Sequence, residues 1–121
     1  MKPLLKTDIG SFLKRFGNFV DAEIRSIEPV SSNIIRVLIA TQDSARGFDW
    51  ITINVEFSSI IDAKLIESSK LSLVDMSEGI TFFYQDNCFA LSINNYNNLE
   101  NIKNDIFYIV SSSIKYEEDL F

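Results

Sequence analysis

Apolar and polar side chains alternate along much of this chain, and the alternation is most regular between residues 49 and 57. The apolar positions there are Ile51, Ile53, Val55 and Phe57, and the residues between them are polar. A period of two is typical of a strand with one face on a core and the other facing water. We therefore predict an inner strand of an antiparallel sheet over 49–57.

Six further segments show the same alternation or a high strand propensity. The predicted strands are 19–28, 33–41, 60–67, 80–85, 88–94 and 106–116. Asp86-Asn87 is typical of a two-residue hairpin turn, whereas Ser58-Ser59 suits either a tight reversal or a bulge. Ile27 breaks the alternation of its segment, which indicates a bulge or a strand end. The pattern leaves open whether 106–116 is strand or helix.

A helical pattern precedes the strands. Its apolar residues lie three or four positions apart, at Ile9, Phe12, Leu13 and Phe16. Thr7 or Asp8 can cap the start, and Gly17 is placed to end the helix. We predict an amphipathic helix over residues 7–16 whose apolar face packs on the sheet.

Together these segments predict an α+β fold with a single, mostly antiparallel sheet of six or seven strands and the N-terminal helix packed on it. Residues 1–121 suit one domain, and a hydrophobic content of 46% that includes 10 Phe supplies a core. The pattern does not decide the conformation of 68–79 or of 94–105.

Composition argues against most catalytic chemistry. The chain has no His and a single cysteine, Cys88, so zinc sites and His-activated nucleophiles have no support. Asp21 and Glu23 lie on a predicted solvent-facing strand surface, where nothing desolvates a catalytic pair. Asp43 and Asp49 flank a loop that lacks the spacing of a calcium site. We predict no enzyme activity, no cofactor and no metal.

Charge is negative and unevenly distributed. The net charge is −6, yet the first 20 residues hold four basic side chains and one acidic side chain. The acidity of the remainder repels nucleic acid and anionic lipid and favours basic macromolecules, although it also serves solubility. No apolar run approaches the roughly 20 residues that span a bilayer, and the start lacks a secretory pattern. We expect a cytoplasmic protein without membrane contact.

Successive turns of an up-and-down meander alternate between the two ends of a sheet, so loops 42–49, 67–79 and 94–105 are expected at one end. They carry seven acidic and three basic side chains, with aromatic residues close by. An acidic rim around aromatic anchors suits a basic protein partner. The predicted partner-binding residues are Asp43, Arg46, Phe48, Asp49, Trp50, Glu67, Asp75, Glu78, Tyr96, Glu100 and Asp105. The alternative is that these loops share the general acidity and that Phe48 and Trp50 cover the core.

Two runs of residues carry a resemblance to a known class of proteins. They are FVDAEI at 19–24 and WITINVEF at 50–57. The pattern resembles small bacterial proteins that include immunity proteins of contact-dependent and other polymorphic toxin systems, although many of these have His at the position of Val20. The resemblance implies a protein that binds and blocks one cognate toxin domain, often a nuclease. It transfers no site residue.

We therefore expect an acidic immunity protein, a monomer or weak dimer, that occludes the active site of a basic toxin such as a nuclease domain. One alternative is a secretion-type chaperone or adaptor, also small and acidic, which is usually a dimer. Another is a small-ligand enzyme, which requires a deep pocket with a buried carboxylate such as Asp21 or Glu23. Size-exclusion mass separates the first two possibilities, and the burial of that carboxylate tests the third.

Overall fold

The computed structural model describes residues 1–77 and 79–120, and in that part of the chain seven strands form one antiparallel sheet. The strands are β1 Lys2–Pro3, β2 Glu23–Ser31, β3 Ile34–Asp43, β4 Asp49–Lys64, β5 Thr81–Gln85, β6 Cys88–Ser92 and β7 Tyr108–Leu120. Their order is β2-β3-β4-β7-β6-β5, and β1 pairs with β7 beside β6. The predicted α+β fold is confirmed. The segment predicted as 106–116 is a strand, although β7 begins at Tyr108 and continues to Leu120. The sequence pattern did not predict β1.

The predicted N-terminal helix is confirmed as a 3-10 turn, Lys6–Asp8, that continues into α1, Ile9–Arg15. Its apolar stripe buries Phe12 and Phe16 against the inner face of the sheet, where the Phe12 ring lies 4.9 Å from that of Tyr116. Asp8 occupies the N-cap position without a side-chain capping bond. None of the helices within the described ranges is long and apolar enough to cross a bilayer.

The first long strand begins later than predicted, at Glu23 rather than at residue 19. Gly17, Asn18 and Phe19 all have positive φ, between 55° and 60°, and form a tight left-handed turn after α1. This turn inserts Phe19 into the core, where the side chain is 1% exposed. Phe19, at the start of the predicted strand, therefore belongs to a turn. The predicted irregularity in this strand is a bulge between Ile24 and Ser26.

The predicted strands 49–57 and 60–67 are a single strand, β4, so the reversal at Ser58-Ser59 does not occur. Ser59 has a φ of 53°, and the register shifts between Ile60 and Asp62, which is the bulge alternative. β7 pairs with β4 on both sides of this bulge. Because β7 supplies backbone partners along that whole length, β4 bends and continues instead of turning back.

Because β4 does not reverse at Ser58-Ser59, each later connection lies at the opposite end of the sheet from the one expected. We call the end where Asp43 pairs with Asp49 the upper end. The other two acidic connections begin and end in the row that joins Lys64, Tyr108, Ser92 and Thr81, which lies at the lower end. The expectation that all three acidic loops share one end is wrong.

Apolar side chains are buried on both faces of the sheet. The main core fills the inner face beneath α1. A smaller cluster on the outer face of β6 and β7 contains Ala90, Ile102, Tyr108 and Val110, and the 93–107 connection closes over it. The remaining outer face, on β2, β3, β4 and the upper half of β7, presents side chains that are exposed or half-buried, apart from Ala40.

The free edge of β2 is covered by the connection between β4 and β5. The Ser68 hydroxyl accepts a hydrogen bond from the Ile27 N–H and donates one to the Ile27 carbonyl, both at 2.9 Å. Further along, the Ile24 N–H lies 3.3 Å from the Met76 sulfur. The side chains of Ser68 and Met76 thus contact backbone groups of β2 that a neighbouring strand would otherwise bind, which protects the edge from pairing with another chain.

Candidate protein-binding surface

Asp43 was expected to face a partner, but its carboxylate is fully buried at the upper end of β3. Arg15, the last residue of α1, donates two hydrogen bonds to it, from Nε to Oδ1 at 2.9 Å and from Nη2 to Oδ2 at 2.7 Å. Arg46 approaches the same carboxylate, with Nε 3.4 Å from Oδ2. Asp43 therefore serves an internal ion pair and not a docking surface.

Glu118 of β7 completes an alternating network of two cations and two carboxylates. Its Oε1 accepts from Arg15 Nη1 at 2.9 Å, and its Oε2 lies 3.2 Å from Arg46 Nη2. Hydrogen bonds from Arg15 hold the pKa values of the Asp43 and Glu118 carboxyl groups below their ordinary values, against the opposing effect of burial. The same bonds raise the pKa of Arg15. The network joins α1, the β3–β4 turn and the end of β7.

The β3–β4 turn is shaped by this network. Asp43 Oδ1 also accepts from the Ala45 N–H at 2.9 Å, which caps the 3-10 turn Ser44–Arg46. Gly47 and Phe48 follow with φ values of 66° and 67°. The Phe48 N–H returns to the Asp43 carbonyl at 2.9 Å, while its side chain is 64% exposed. The turn is closed by its backbone and presents an aromatic ring to solvent.

Trp50 adjoins this turn on the uncovered outer face. It pairs with Gln42 on β3, and its side chain is 40% exposed. The expectation that Phe48 and Trp50 lie at the surface, rather than sealing the core, is confirmed. Asp49 and Arg46 are exposed beside them.

Below Trp50, the outer face of β2, β3, β4 and the upper half of β7 carries rows of polar side chains, and we call it the outer sheet face. One row crosses all four strands as Glu28, Arg36, Glu56 and Lys115. Arg36 Nε lies 3.0 Å from Glu56 Oε1. Alternating charges on neighbouring strands attract one another, although exposed pairs of this kind contribute little to stability.

The rows nearer Trp50 are more acidic. Over the whole outer sheet face, five carboxylates stand against three cations. The carboxylates are Glu23, Glu28, Glu56, Glu117 and Asp119, and the cations are Arg25, Arg36 and Lys115. Glu23 and Asp21 are both exposed, so the buried carboxylate that a small-ligand enzyme requires is not supplied by either residue. The outer sheet face is an acidic, uncovered surface bordered by aromatic side chains.

The remaining predicted residues lie on the other two acidic connections, one of which runs along the edge of β2 beside Glu23 and Arg25. Glu67, Asp75 and Glu100 are exposed on the connections that start and end at the lower end of the sheet. Asp75 accepts from the Ser77 N–H at 2.9 Å, and this bond lowers the pKa of its carboxyl group. Glu78 lies outside the described residues. The predicted set is therefore divided between the β3–β4 turn and two connections that start and end at the lower end of the sheet.

Tyr96 and Asp105 are internal rather than exposed anchors. Tyr96 is half-buried and packs against the outer cluster. Asp105 is 1% exposed. Its carboxylate accepts from the backbone N–H groups of Ile93, Asn94 and Ile106, and also from the Asn94 side chain. These bonds fold the 93–107 connection onto the sheet, so both residues are corrected to structural roles.

Arg15 and Glu118 were missed by sequence reasoning. Arg15 lies beside the apolar stripe of the helix, directly before Phe16, and Glu118 belongs to what the sequence pattern indicates as an acidic tail. Neither position signals an ion pair on its own. Comparison of the chain with protein-family models, with curated proteins and with solved structures found no match.

Proposed function

We propose that this chain is a protein-binding module that neutralises a basic toxin domain, in the manner of an immunity protein. The observation that carries the proposal is the outer sheet face, which is uncovered, has more carboxylates than cations and borders two exposed aromatic residues. Aromatic anchors beside a charged surface are the usual composition of a specific interface. The sequence resemblance to toxin-immunity proteins agrees with this proposal.

Electrostatics define the class of partner. A toxin that acts on nucleic acid needs a basic surface to hold phosphate groups. An inhibitor that presents carboxylates at that surface gains association rate and specificity, and it blocks the path of the substrate without chemistry of its own. The excess of carboxylates on the outer sheet face suits such a partner, and it opposes binding to nucleic acid or anionic lipid.

The size of the outer sheet face sets a further condition. Four strands spaced about 4.8 Å apart, over the nine residues from Trp50 to Ser58, cover roughly 500 Å². A specific complex of standard size buries about 800 Å² on each partner. The proposed interface therefore extends beyond the strands, and the β3–β4 turn with Phe48 is the adjoining exposed apolar feature at the upper end.

The test is co-expression with the product of the gene immediately upstream, followed by calorimetric titration of the purified pair. Glu23→Lys combined with Glu117→Lys reverses two exposed charges on the outer sheet face, and we expect it to weaken binding at least tenfold. Glu67→Lys combined with Glu100→Lys makes the same charge change at exposed positions elsewhere and is expected to leave binding unaltered.

An upstream product that is neither toxic nor bound would refute the proposed function. If the two double variants weaken binding equally, the chain still binds the toxin, but the interface is not specifically the outer sheet face. Size-exclusion mass is measured in parallel, because a stable dimer of the isolated chain would favour the secretion-chaperone alternative.

A further inference from the structure

Phe48 combines a strained backbone conformation with a side chain that gains little from folding. Its φ of 67° lies in the left-handed region, which disfavours any residue with a Cβ. The residue is 64% exposed, so much of its apolar surface remains in water and contributes little to stability. Glycine would meet the same backbone requirement without the strain that a Cβ adds. Neither the backbone conformation nor the burial of Phe48 therefore favours an aromatic side chain at this position.

The backbone beneath Phe48 is held from several directions. Its N–H donates to the Asp43 carbonyl at 2.9 Å, and its carbonyl accepts from Gln42 Nε2 at 3.3 Å. The Asp43 side chain is in turn fixed by Arg15 at 2.7 Å and 2.9 Å. Strained residues persist where their surroundings determine them, and they cluster at ligand-binding sites. The turn is preorganised, so a partner meets a ring that is already positioned.

Leu73 provides the contrast. It is more exposed than Phe48, at 83%, but it lies in the 3-10 turn Ser68–Leu73 and is not among the positive-φ residues. Isolated exposed apolar residues are normal and require no explanation. Exposure alone does not distinguish Phe48, whereas exposure combined with an enforced left-handed backbone does.

We propose that Phe48 is the anchor of the interface with the basic toxin domain and inserts into an apolar pocket of that partner. The pocket is rimmed by basic side chains, which meet Asp49 and the acidic outer sheet face. Arg15 acts as a positioning residue, since it holds Asp43 and thereby the turn. This inference rests on the proposed function and names the anchor of the same surface.

Binding is tested with three single variants against the upstream toxin domain. Phe48→Ala and Phe48→Gly are each expected to weaken affinity roughly 30-fold, the loss typical of an interface hot spot. Leu73→Ala removes an even more exposed apolar side chain and is expected to leave affinity unchanged. If the toxin domain binds the wild-type chain but tolerates both Phe48 variants, the anchor assignment is overturned and the proposed function stands.

Thermal unfolding of the same variants needs no partner. Phe48→Gly is expected to be at least as stable as wild type, because glycine relieves the left-handed backbone. Phe48→Ala retains a Cβ and is expected to melt below Phe48→Gly. A large fall in melting temperature for Phe48→Gly would assign the ring to the fold and overturn the inference, whether or not a toxin is bound.

Discussion

Arg15 and Asp43 form a two-bonded ion pair between the last residue of α1 and the last residue of β3, with donor–acceptor distances of 2.9 Å and 2.7 Å. The carboxylate is fully buried, whereas the guanidinium side chain is 24% exposed and lies 4.9 Å from the Phe16 ring centre. Two parallel bonds fix the relative orientation of a helix and a strand more strictly than a point charge does. The pair thus connects the leading helix to the turn that presents Phe48.

Removal of Arg15 is expected to destabilise the fold strongly. Arg15→Met keeps much of the apolar stem but leaves the buried Asp43 carboxylate with the hydrogen bond from the Ala45 N–H and the longer contact to Arg46. Loss of one partner of a buried ion pair costs about 3 kcal/mol, which urea denaturation measures. Arg36→Met is the control, because its ion pair with Glu56 is exposed on the Arg36 side and is worth less than about 1 kcal/mol. Equal losses for the two variants would contradict a special role for Arg15.

The same network predicts a loss of stability in acid. Asp43 and Glu118 have lower pKa values in the folded protein than in the unfolded chain, so the unfolded chain binds more protons. Their contribution is present above about pH 5 and is lost as the pH falls through the unfolded values near 4 and then through the lower folded values. Unfolding free energies of wild type and Asp43→Asn, measured from pH 7 to pH 3, are expected to converge in acid. A constant difference would refute this linkage.

Ser68 is expected to protect the edge of β2. Ser68→Ala removes both hydrogen bonds to Ile27 and leaves its backbone N–H and carbonyl without that partner. We expect a loss of about 1–2 kcal/mol and faster hydrogen exchange at the Ile27 amide. Ser69→Ala changes the exposed neighbour and is expected to alter neither quantity. Unchanged exchange at Ile27 in Ser68→Ala would show that Ser68 does not protect this edge.

Gly79 is expected to tolerate no side chain. Its φ is 81°, and a Cβ there would collide with the carbonyl oxygens of Phe19 and Val20. Gly79→Ala is expected to cost more than about 2 kcal/mol, since the left-handed backbone alone accounts for about 1–2 kcal/mol. Gly10→Ala in α1 meets no atom within 4 Å and is expected to stabilise the protein by about 0.5–1 kcal/mol. Melting temperatures of the two variants should therefore move in opposite directions.

Much of the fold was predictable because strand and helix periods are local properties. The alternation over 49–57 gave β4, and the hairpin followed from Asp86-Asn87, whose φ values of 52° and 63° match a two-residue turn. The helical spacing of Phe12 and Phe16 gave α1. Each of these predictions depends only on neighbours within a few residues, and that information is present in the chain itself.

The candidate surface was only partly predictable. The sequence left open whether Phe48 and Trp50 are exposed or cover the core, and the structure shows both exposed. Asp43 and Asp105 are also next to loops, yet both are buried and hydrogen-bonded internally. The local sequence around an acidic residue beside a loop is the same whether its carboxylate faces water or a guanidinium group, so the sequence pattern does not distinguish the two cases.

The sequence by itself determined most of the strand segments, the helix and the excess of negative charge, because these follow from side-chain type and short-range spacing. Only the tertiary structure decided that Ser58-Ser59 bends β4 instead of reversing it, since the decision depends on β7, about 50 residues further along. It likewise decided the role of Asp43, whose partner Arg15 is 28 positions away, while Arg15 meets Glu118 across 103 positions. Contacts over such distances arise from sheet register and packing, which no local pattern specifies.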